Sequence, residues 1–207
     1  MPDITVSMVF EGKTYSGKLT QELEPAPEPA RVIAYSQRDE RWAGERMGAT
    51  RQTVGGMGCA LLTACMVLSQ RKPDITPLEF NARLNTEGGY NIVNGNEAHL
   101  AWDRLPGIYP ELSWLGRESW TRRLYEHELA CIFGFIDEGP LPLWVDFKQG
   151  LGGMQSHFVL AVGHSDGDIE IVDPWGGDRV GLLERYGRGP GDTLARAVWG
   201  YRRLVVV

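Results

Sequence analysis

A cysteine at position 59 lies where a helix is predicted to begin, and this placement suits a nucleophile. Residues 55–60 are Gly-Gly-Met-Gly-Cys-Ala and lead directly into the apolar segment 61–68. The unpaired N–H groups and the dipole of a helix N-terminus favour a thiolate over a thiol, and the same N–H groups can bind an oxyanion. The alternative is that Cys59 is a small apolar residue packed beneath a turn, since free cysteine is commonly buried.

A histidine and an aspartate flank one predicted β-hairpin. His157 opens a strand predicted over 157–162, and Asp173 closes a strand predicted over 169–172. If the hairpin is centred on Ser165, the two side chains oppose each other on one face, within reach of a hydrogen bond, and a slip of one residue would undo this alignment. An imidazole oriented by a carboxylate can take a proton from a thiol and return it to a leaving nitrogen. The alternatives are a surface histidine at a strand end and a turn aspartate before a proline.

Other titratable residues are weaker candidates for this chemistry. His164 could serve as the base instead, but it falls in the presumed turn, while His99 and His127 fall in segments predicted as helical and are interpreted as structural. Asp166 and Asp168 resemble part of a calcium loop, but the ligand spacing is missing and a β-turn accounts for them. His-Glu-x-x-His does not occur, and the Gly-x-Ser-x-Gly pattern at 163–167 lies in the presumed turn between two strands rather than in a strand-to-helix elbow, so nothing supports a serine hydrolase or a zinc protease. No metal or other cofactor is predicted.

Composition limits the class of protein. The chain has 207 residues, of which 43% are hydrophobic and 23% charged, as expected for one globular domain with a small appendage. Its formal net charge is -6 with lysines and arginines scattered, so we expect neither a nucleic acid nor a membrane as partner. No apolar stretch is long enough to cross a bilayer, and residues 1–10 do not resemble a secretory signal.

The cysteines indicate a reducing compartment. Cys59, Cys65 and Cys131 form an odd set without a Cys-x-x-Cys pair, which argues against a disulfide framework and against a zinc ribbon. We therefore expect a cytoplasmic protein. A phage protein, or a protein exported without a recognisable signal, would have the same cysteine content.

The elements that must position these residues fall into two regions. Strands predicted at 5–10 and 14–19 form a hairpin, and the alternating prolines of 24–29 predict an extended spacer. We place the domain boundary near residue 30. This gives an appendage over 1–30 and a main domain over 31–207.

In the main domain, most predicted helices precede the predicted strands. The helix after Cys59 is apolar on every face and should be buried. Thr76, Pro77 and Glu79 supply the start signals of a second helix, which should end near Gly88. Further helices are predicted from near 96 to before 106 and from about 126 to 137, and strands at 141–147, 157–162, 169–172 and 198–207. This order predicts an α+β fold with an antiparallel sheet rather than alternating βαβ units.

Four motifs, in this order, resemble those of the C39-like cysteine peptidases. They are Tyr-Ser-Gln-Arg-Asp-Glu-Arg-Trp at 35–42, Gly-Cys-Ala at 58–60, Ser-His-Phe-Val-Leu-Ala-Val-Gly at 156–163 and Val-Asp-Pro-Trp at 172–175. The resemblance covers roughly residues 32–177. It implies a papain-like fold, in which an N-terminal helical part containing the nucleophile helix packs on a C-terminal antiparallel sheet.

Carried over residue by residue, the resemblance implies a thiol protease with a catalytic triad. Cys59 would be the nucleophile, His157 the general acid and base, and Asp173 the group that orients the imidazole. Gln37 would donate its side-chain amide to an oxyanion hole beside the Cys59 N–H, since a neutral donor there does not lower the basicity of the histidine. Without the resemblance, Gln37 would be interpreted as a surface residue.

Two further residues are predicted to contact substrate. Trp175 follows Asp173 by two positions, and Gly58 directly precedes Cys59. The glycine-rich segment 148–154 before His157 is a candidate gate over the cleft.

These observations predict a cofactor-free cysteine peptidase that hydrolyses peptide or protein substrates through an acyl-thioester intermediate. Exporters that mature bacteriocins have spanning helices and a phosphate-binding loop. This sequence has no stretch long enough to span a bilayer, and its Gly-x-x-x-x-Gly-Lys pattern at 12–18 lies in the predicted hairpin and is followed by Leu19 instead of Ser or Thr, so we do not expect cleavage of double-glycine leaders. Two alternatives stay open. One is an amidase or endopeptidase of peptidoglycan stem peptides, because the same groups serve any acyl transfer. The other is a peptide-binding module of the same fold without turnover.

Overall fold

The computed structural model describes residues 4–10, 13–19, 31–147, 155–187 and 189–207, the first two ranges as backbone only. The predicted N-terminal hairpin is present: β1 (Ile4–Phe10) pairs antiparallel with β2 (Lys13–Leu19). The predicted proline spacer at 24–29, the boundary near residue 30 and the candidate gate at 148–154 lie outside the described residues.

From residue 31 onward the chain folds as α+β. The helices are α1 (Val54–Met57), α2 (Cys59–Ser69), α3 (Pro77–Glu87), α4 (Leu105–Ile108), α5 (Glu126–Glu138), α6 (Leu182–Tyr186) and α7 (Leu194–Ala197), with a 3-10 turn at Trp102–Arg104. The strands are β3 (Tyr90–Val93), β4 (Glu97–Leu100), β5 (Leu112–Ser119), β6 (Leu141–Phe147), β7 (Gln155–Ser165), β8 (Asp168–Asp173), β9 (Asp178–Gly181) and β10 (Val198–Val206).

One six-stranded antiparallel sheet, in the order β5-β10-β6-β7-β8-β9, forms the centre of the fold, and β3 and β4 form a separate hairpin. The predicted α+β fold with an antiparallel sheet is confirmed. Helices and strands are less segregated along the chain than predicted, because β5 precedes α5 and joins the edge of the sheet.

Two buried apolar clusters lie on opposite faces of this sheet. Helix α2 belongs to the first cluster, which includes Leu160 of β7, and residues 61–69 of the helix are all buried. Because successive strand residues point to opposite faces, the neighbouring Val159 belongs to the second cluster together with α5, α6 and α7. Complete burial of a leucine or valine side chain stabilises the fold by about 1.5–3 kcal/mol. The buried apolar surface of α2 therefore fixes the position of Cys59 at the N-terminus of the helix.

The caps of α3 are those that the sequence predicts. The Thr76 hydroxyl accepts a hydrogen bond from the Glu79 N–H at 3.2 Å, Pro77 occupies the first turn, and Gly88 ends the helix in the left-handed conformation with φ +74°. The helix predicted over about 126–137 is also confirmed, as α5.

The helix predicted from near residue 96 is wrong, because β4 and the following 3-10 turn occupy this segment. Asn94 and Gly95 adopt positive φ angles of 50° and 69°, the pair of left-handed residues that a tight hairpin turn requires. This turn directs β3 back into β4. His99 consequently lies in a strand and not in a helix, whereas His127 lies in α5 as predicted.

The β7-β8 hairpin turns at Asp166 and Gly167 rather than at Ser165. These two residues have φ angles of 50° and 81°, and Ser165 pairs with Asp168 directly beside the turn. His164 therefore lies in β7 and not in the turn, contrary to the prediction.

A β-bulge at Val162 then shifts the pairing of β7 with β8 by one residue. Continued beyond the last recorded pair, the shifted register places Asp173 across from Val159, so the predicted direct opposition of His157 and Asp173 is wrong. The two residues are diagonal neighbours on one face instead. Without the bulge, Asp173 would lie across from Leu160 and point to the other face, so the extra residue is what keeps the histidine and the carboxylate together.

Candidate active site

Cys59 is the first residue of α2, and a close approach at Gly58 sets its position. The single helical turn α1 precedes it, over the glycine-rich residues that lead into α2. A Cβ on Gly58 would overlap the backbone carbonyl of Val54, so a glycine is needed for α1 to pack against the start of α2. Gly58 is buried, and its predicted contact with substrate stays a prediction.

The half-buried Cys59 sulfur is hydrogen-bonded to the His157 imidazole and to the backbone N–H groups of Phe158 and Ala60. Burial by itself would raise the pKa of the thiol. The hydrogen bond and positive charge of His157, together with the two N–H groups, outweigh this effect and hold the pKa of Cys59 below its ordinary value. The site therefore favours a thiolate.

His157 stands between the sulfur and a carboxylate. Its Nε2 lies 2.8 Å from Oδ1 of Asp173, which leaves Nδ1 to face Cys59. Burial would lower the pKa of this imidazole, but hydrogen bonds to Asp173 and Cys59, and the negative charges of both, raise it to about 9. At neutral pH the arrangement favours a thiolate–imidazolium pair.

Three groups besides His157 hold Asp173, and neither Arg185 nor Tyr186 among them was identified from the sequence. Its Oδ1 also accepts the Trp175 N–H at 2.9 Å, its Oδ2 accepts the Tyr186 hydroxyl at 2.7 Å, and Nε of Arg185 lies 3.1 Å from Oδ2. Burial would raise the pKa of this carboxyl, but the hydrogen bond and charge of His157, with the Trp175 and Tyr186 donors, hold it below the usual range. Arg185 and Tyr186 reach the Asp173 carboxylate because α6 packs against β8, and the sequence carries no local signal for this packing.

Gln37 is buried, with 2% of its surface exposed, so its interpretation as a surface residue is wrong. Its side-chain Nε2 donates to the Gly55 carbonyl at 3.1 Å, and its backbone N–H donates to the Pro174 carbonyl at 2.6 Å. Because a carbonyl can only accept, the first contact fixes which end of the amide faces Gly55. Gln37 thus links the segment before Cys59 to the loop after Asp173.

Two neutral hydrogen-bond donors belong to the start of α2 and to the Gln37 side chain that contacts the segment before it. The backbone N–H of Cys59, at the start of α2, has no acceptor in the part of the chain that the structure describes. The Gln37 amide nitrogen carries two hydrogens, of which Gly55 takes one. Neutral donors fixed in this way stabilise negative charge that develops on a carbonyl oxygen.

Trp175 lies directly beyond the carboxylate. The Arg38 guanidinium lies 4.9 Å from the centroid of its half-buried ring, and the backbone N–H of Trp175 donates to Asp173 Oδ1. The backbone of Trp175 is thereby tied to Asp173, and its ring packs against Arg38 and the second apolar cluster. Its predicted contact with substrate stays a prediction.

The other candidates lie elsewhere. Nε2 of His164 is 3.0 Å from Asp137 and the ring packs on Phe133 of α5, so the structure does not bring this histidine to the sulfur. The carboxylate of Asp168 accepts the backbone N–H groups of Ile169 and Leu183, which is a structural role.

Two further findings concern ligands and membranes. Among the described residues, no group of three His, Cys, Asp or Glu side chains could hold a metal ion. Within the same residues, none of the helices combines the length and apolar character needed to cross a bilayer.

The structure thus brings Cys59, His157 and Asp173 into one connected group, with Gln37 packed against the segment that precedes the cysteine. Comparison of the chain with protein-family models, with curated proteins and with solved structures gave no match.

Proposed function

We propose that this protein is a papain-like cysteine peptidase, similar to the C39-like peptidases, that hydrolyses peptide bonds without a cofactor. The observation that supports it is the contact series from the Cys59 sulfur through the His157 ring to the Asp173 carboxylate. The papain-like assignment is supported by a nucleophile at the N-terminus of a buried helix and a histidine on the antiparallel sheet against which that helix packs.

In the first half of the proposed reaction, the Cys59 thiolate attacks the carbonyl carbon of the scissile amide. A C–S bond forms, and the carbonyl oxygen takes up negative charge that the Cys59 N–H and the Gln37 amide stabilise. The proton on His157 passes to the amide nitrogen, the C–N bond breaks, and the amine leaves. An acyl-thioester on Cys59 results.

In the second half, His157 is neutral and acts as a base. It takes a proton from water as the water oxygen attacks the thioester carbonyl, and the C–S bond breaks to release the acid and restore the thiolate. Asp173 keeps the ring oriented and stabilises its charged form in both halves.

Peptidoglycan stem peptides are the alternative substrate class, since the same steps would cleave their amide bonds. A module without turnover needs only a cleft, whereas an enzyme also needs an ionised thiol beside a base. The lowered pKa of Cys59 therefore supports an enzyme over such a module.

The test is alkylation of the native protein by iodoacetamide at pH 6, with the modified cysteines identified by mass spectrometry. Cys59 is expected to react at least tenfold faster than the exposed Cys131, and the buried Cys65, whose pKa burial raises, is expected to be slowest. Equal, slow modification of Cys59 and Cys131 would contradict the proposal.

A second experiment separates the two substrate classes. The protein and its Cys59→Ala variant are incubated in parallel with a random peptide library and with purified cell-wall fragments. Cleavage of library peptides by the wild type alone supports a peptidase. Release of stem peptides with an intact library would instead assign the alternative substrate.

A further inference from the structure

A cavity of about 390 Å³ opens at the end of the sheet where β5 ends and β10 begins. This volume lies within the range of small-ligand pockets and exceeds that of a single amino-acid side chain. The walls are tryptophans and the rim is basic: Trp120, Trp144 and Trp199, with Arg122, Arg123 and Arg196.

The tryptophan walls are not explained by core packing. Trp144 and Trp199 are half-buried and meet edge to face, with ring centroids 5.6 Å apart, but neither ring belongs to the two apolar clusters of the fold. Trp120 packs against the second cluster and against the Tyr201 ring. Large rings that remain outside a core and share one concave surface are typical of a binding site.

The rim of the cavity carries positive charge in a protein whose net charge is -6. Arg122 is neutralised by Glu128 at 2.7 Å, but Arg196 approaches Asp192 only at 4.0 Å. In the described part of the chain, Arg123 forms no ion pair. The rim is therefore complementary to a carboxylate.

Strand pairing connects this cavity to the proposed nucleophile. The Phe158 N–H binds the Cys59 sulfur, and Phe158 lies directly across from Trp144 in the β6-β7 ladder. Directly opposed residues share a face, and the Phe158 side chain packs against the apolar cluster that contains α2. Trp144 consequently lies on the side of the sheet where the nucleophile helix packs.

The spacing from β7, which carries His157, to the cavity suits a peptide. A ladder of paired residues runs from His157 through Val145 to Val198, so β7, β6 and β10 reach the same level of the sheet, and Trp199 follows Val198. Neighbouring strands are about 4.8 Å apart, so the cavity lies roughly 10 Å from β7, the length of about three residues of extended chain.

We propose that this cavity is a substrate subsite that takes a large apolar side chain while the arginine rim binds an adjacent carboxylate. The inference rests on the proposed peptidase function and specifies its substrate class: peptides with an apolar-acidic step about three residues from the scissile bond. The acidic residue supplies the carboxylate, and the tryptophans enclose its apolar neighbour.

The test uses decapeptides of alanine and serine that contain one Phe-Glu step, moved along the peptide, with matched Phe-Gln peptides. Binding to Cys59→Ala protein is followed by tryptophan fluorescence. We expect the best Phe-Glu peptide to bind about tenfold more tightly than its Phe-Gln match and, at saturation, to slow iodoacetamide labelling of Cys59 in the wild type by at least fivefold. Equal affinities, or binding without protection of Cys59, would overturn the subsite.

Two charge reversals provide the matched comparison. Arg123→Glu is expected to abolish the preference for Phe-Glu, whereas Arg71→Glu, at an exposed arginine beyond the opposite end of α2, should leave it intact. Loss of the preference in both variants, or in neither, would contradict the proposal. Trp144→Leu should weaken the binding of Phe-Glu and Phe-Gln peptides equally, because it removes one aromatic wall of the cavity.

The outcomes distinguish failure of the subsite from failure of the proposed function. If Cys59 is labelled rapidly at pH 6 but no peptide shows the Phe-Glu preference, the subsite alone is wrong. If Cys59 is labelled no faster than Cys131, the proposed function is wrong whatever binds in the cavity.

Discussion

His157 Nε2 lies 2.8 Å from Asp173 Oδ1, although the two residues are not paired across their strands. The contact is diagonal and depends on one extra residue, Val162, between His157 and the hairpin turn. The bulge sets the face of the sheet on which the carboxylate emerges. The bulge thereby also affects Cys59, because the His157 that Asp173 contacts lowers the pKa of the Cys59 thiol.

Asp173→Asn should shift the alkaline limit of activity. The pKa of His157 is raised to about 9 by hydrogen bonds and charge from Asp173 and Cys59, so the imidazolium is fully present below pH 6.5 and is lost as pH rises through about 9. An asparagine retains an acceptor for Nε2 but no charge, so the alkaline limb of kcat/KM should move to lower pH. The measurement is a pH profile of peptide hydrolysis.

The control for this shift is Asp137→Asn, which removes the carboxylate from a second close histidine–aspartate pair, His164 and Asp137. Its profile should match that of the wild type. A common profile for all three proteins would show that Asp173 does not set the charge of His157.

Tyr186→Phe should weaken the positioning of the carboxylate without removing it. The variant leaves Asp173 Oδ2 without the 2.7 Å hydroxyl donor, and loss of a partner to a buried charged group costs about 1–3 kcal/mol. Because that donor lowers the pKa of Asp173, its loss should move the acid limb of the kcat/KM profile to higher pH. Tyr125→Phe, at an exposed tyrosine, is the matched control and should change neither the profile nor the unfolding temperature.

Gln37→Ala should separate oxyanion stabilisation from thiol activation. Removal of one oxyanion donor lowers kcat by about 10²–10³-fold in enzymes of this class of reaction. Alkylation by iodoacetamide forms no oxyanion, so its rate at Cys59 should stay within about twofold of the wild type. A parallel fall in kcat and in the alkylation rate would show that Gln37 acts through the position of Cys59. The control is Gln70→Ala, at the far end of α2, which should change neither kcat nor the alkylation rate.

Gly58→Ala should destabilise the start of α2. The added methyl group overlaps the Val54 carbonyl, and overpacking of this kind costs about 1–3 kcal/mol. The matched control is Gly134→Ala in α5, where nothing lies near the new methyl group and a better helix former should stabilise the fold by about 0.5–1 kcal/mol. Urea unfolding followed by circular dichroism measures both changes, and opposite signs are expected.

Local signals in the sequence located several elements of the fold. Thr76, Pro77 and Gly88 mark both ends of α3 because caps act within a few residues, and the apolar run after Cys59 indicates a buried helix. Turn chemistry could have corrected two errors. Asn94 with Gly95 and Asp166 with Gly167 are dipeptides that favour tight hairpins, and each turn lies where the structure places it.

Other parts of the site could not be derived from local patterns. A β-bulge such as that at Val162 has no composition signal, yet it sets which residues share a face. Arg185 and Tyr186 reach Asp173 through tertiary packing of α6 on β8, and Gln37 is buried by contacts to residues 55 and 174. Roles of this kind depend on long-range proximity.

The order of the site residues along the chain has a consequence for the protein during its synthesis. The sulfur belongs to α2, whereas the groups that ionise it belong to β7 and β8, about a hundred residues later. A nascent polypeptide that has not yet reached residue 173 carries a thiol near its intrinsic pKa of about 8.5, of which only about 0.3% is ionised at pH 6. Alkylation at acidic pH thus reports that β7 and β8 have folded against α2, and the proposed enzyme is inert until these two strands are in place.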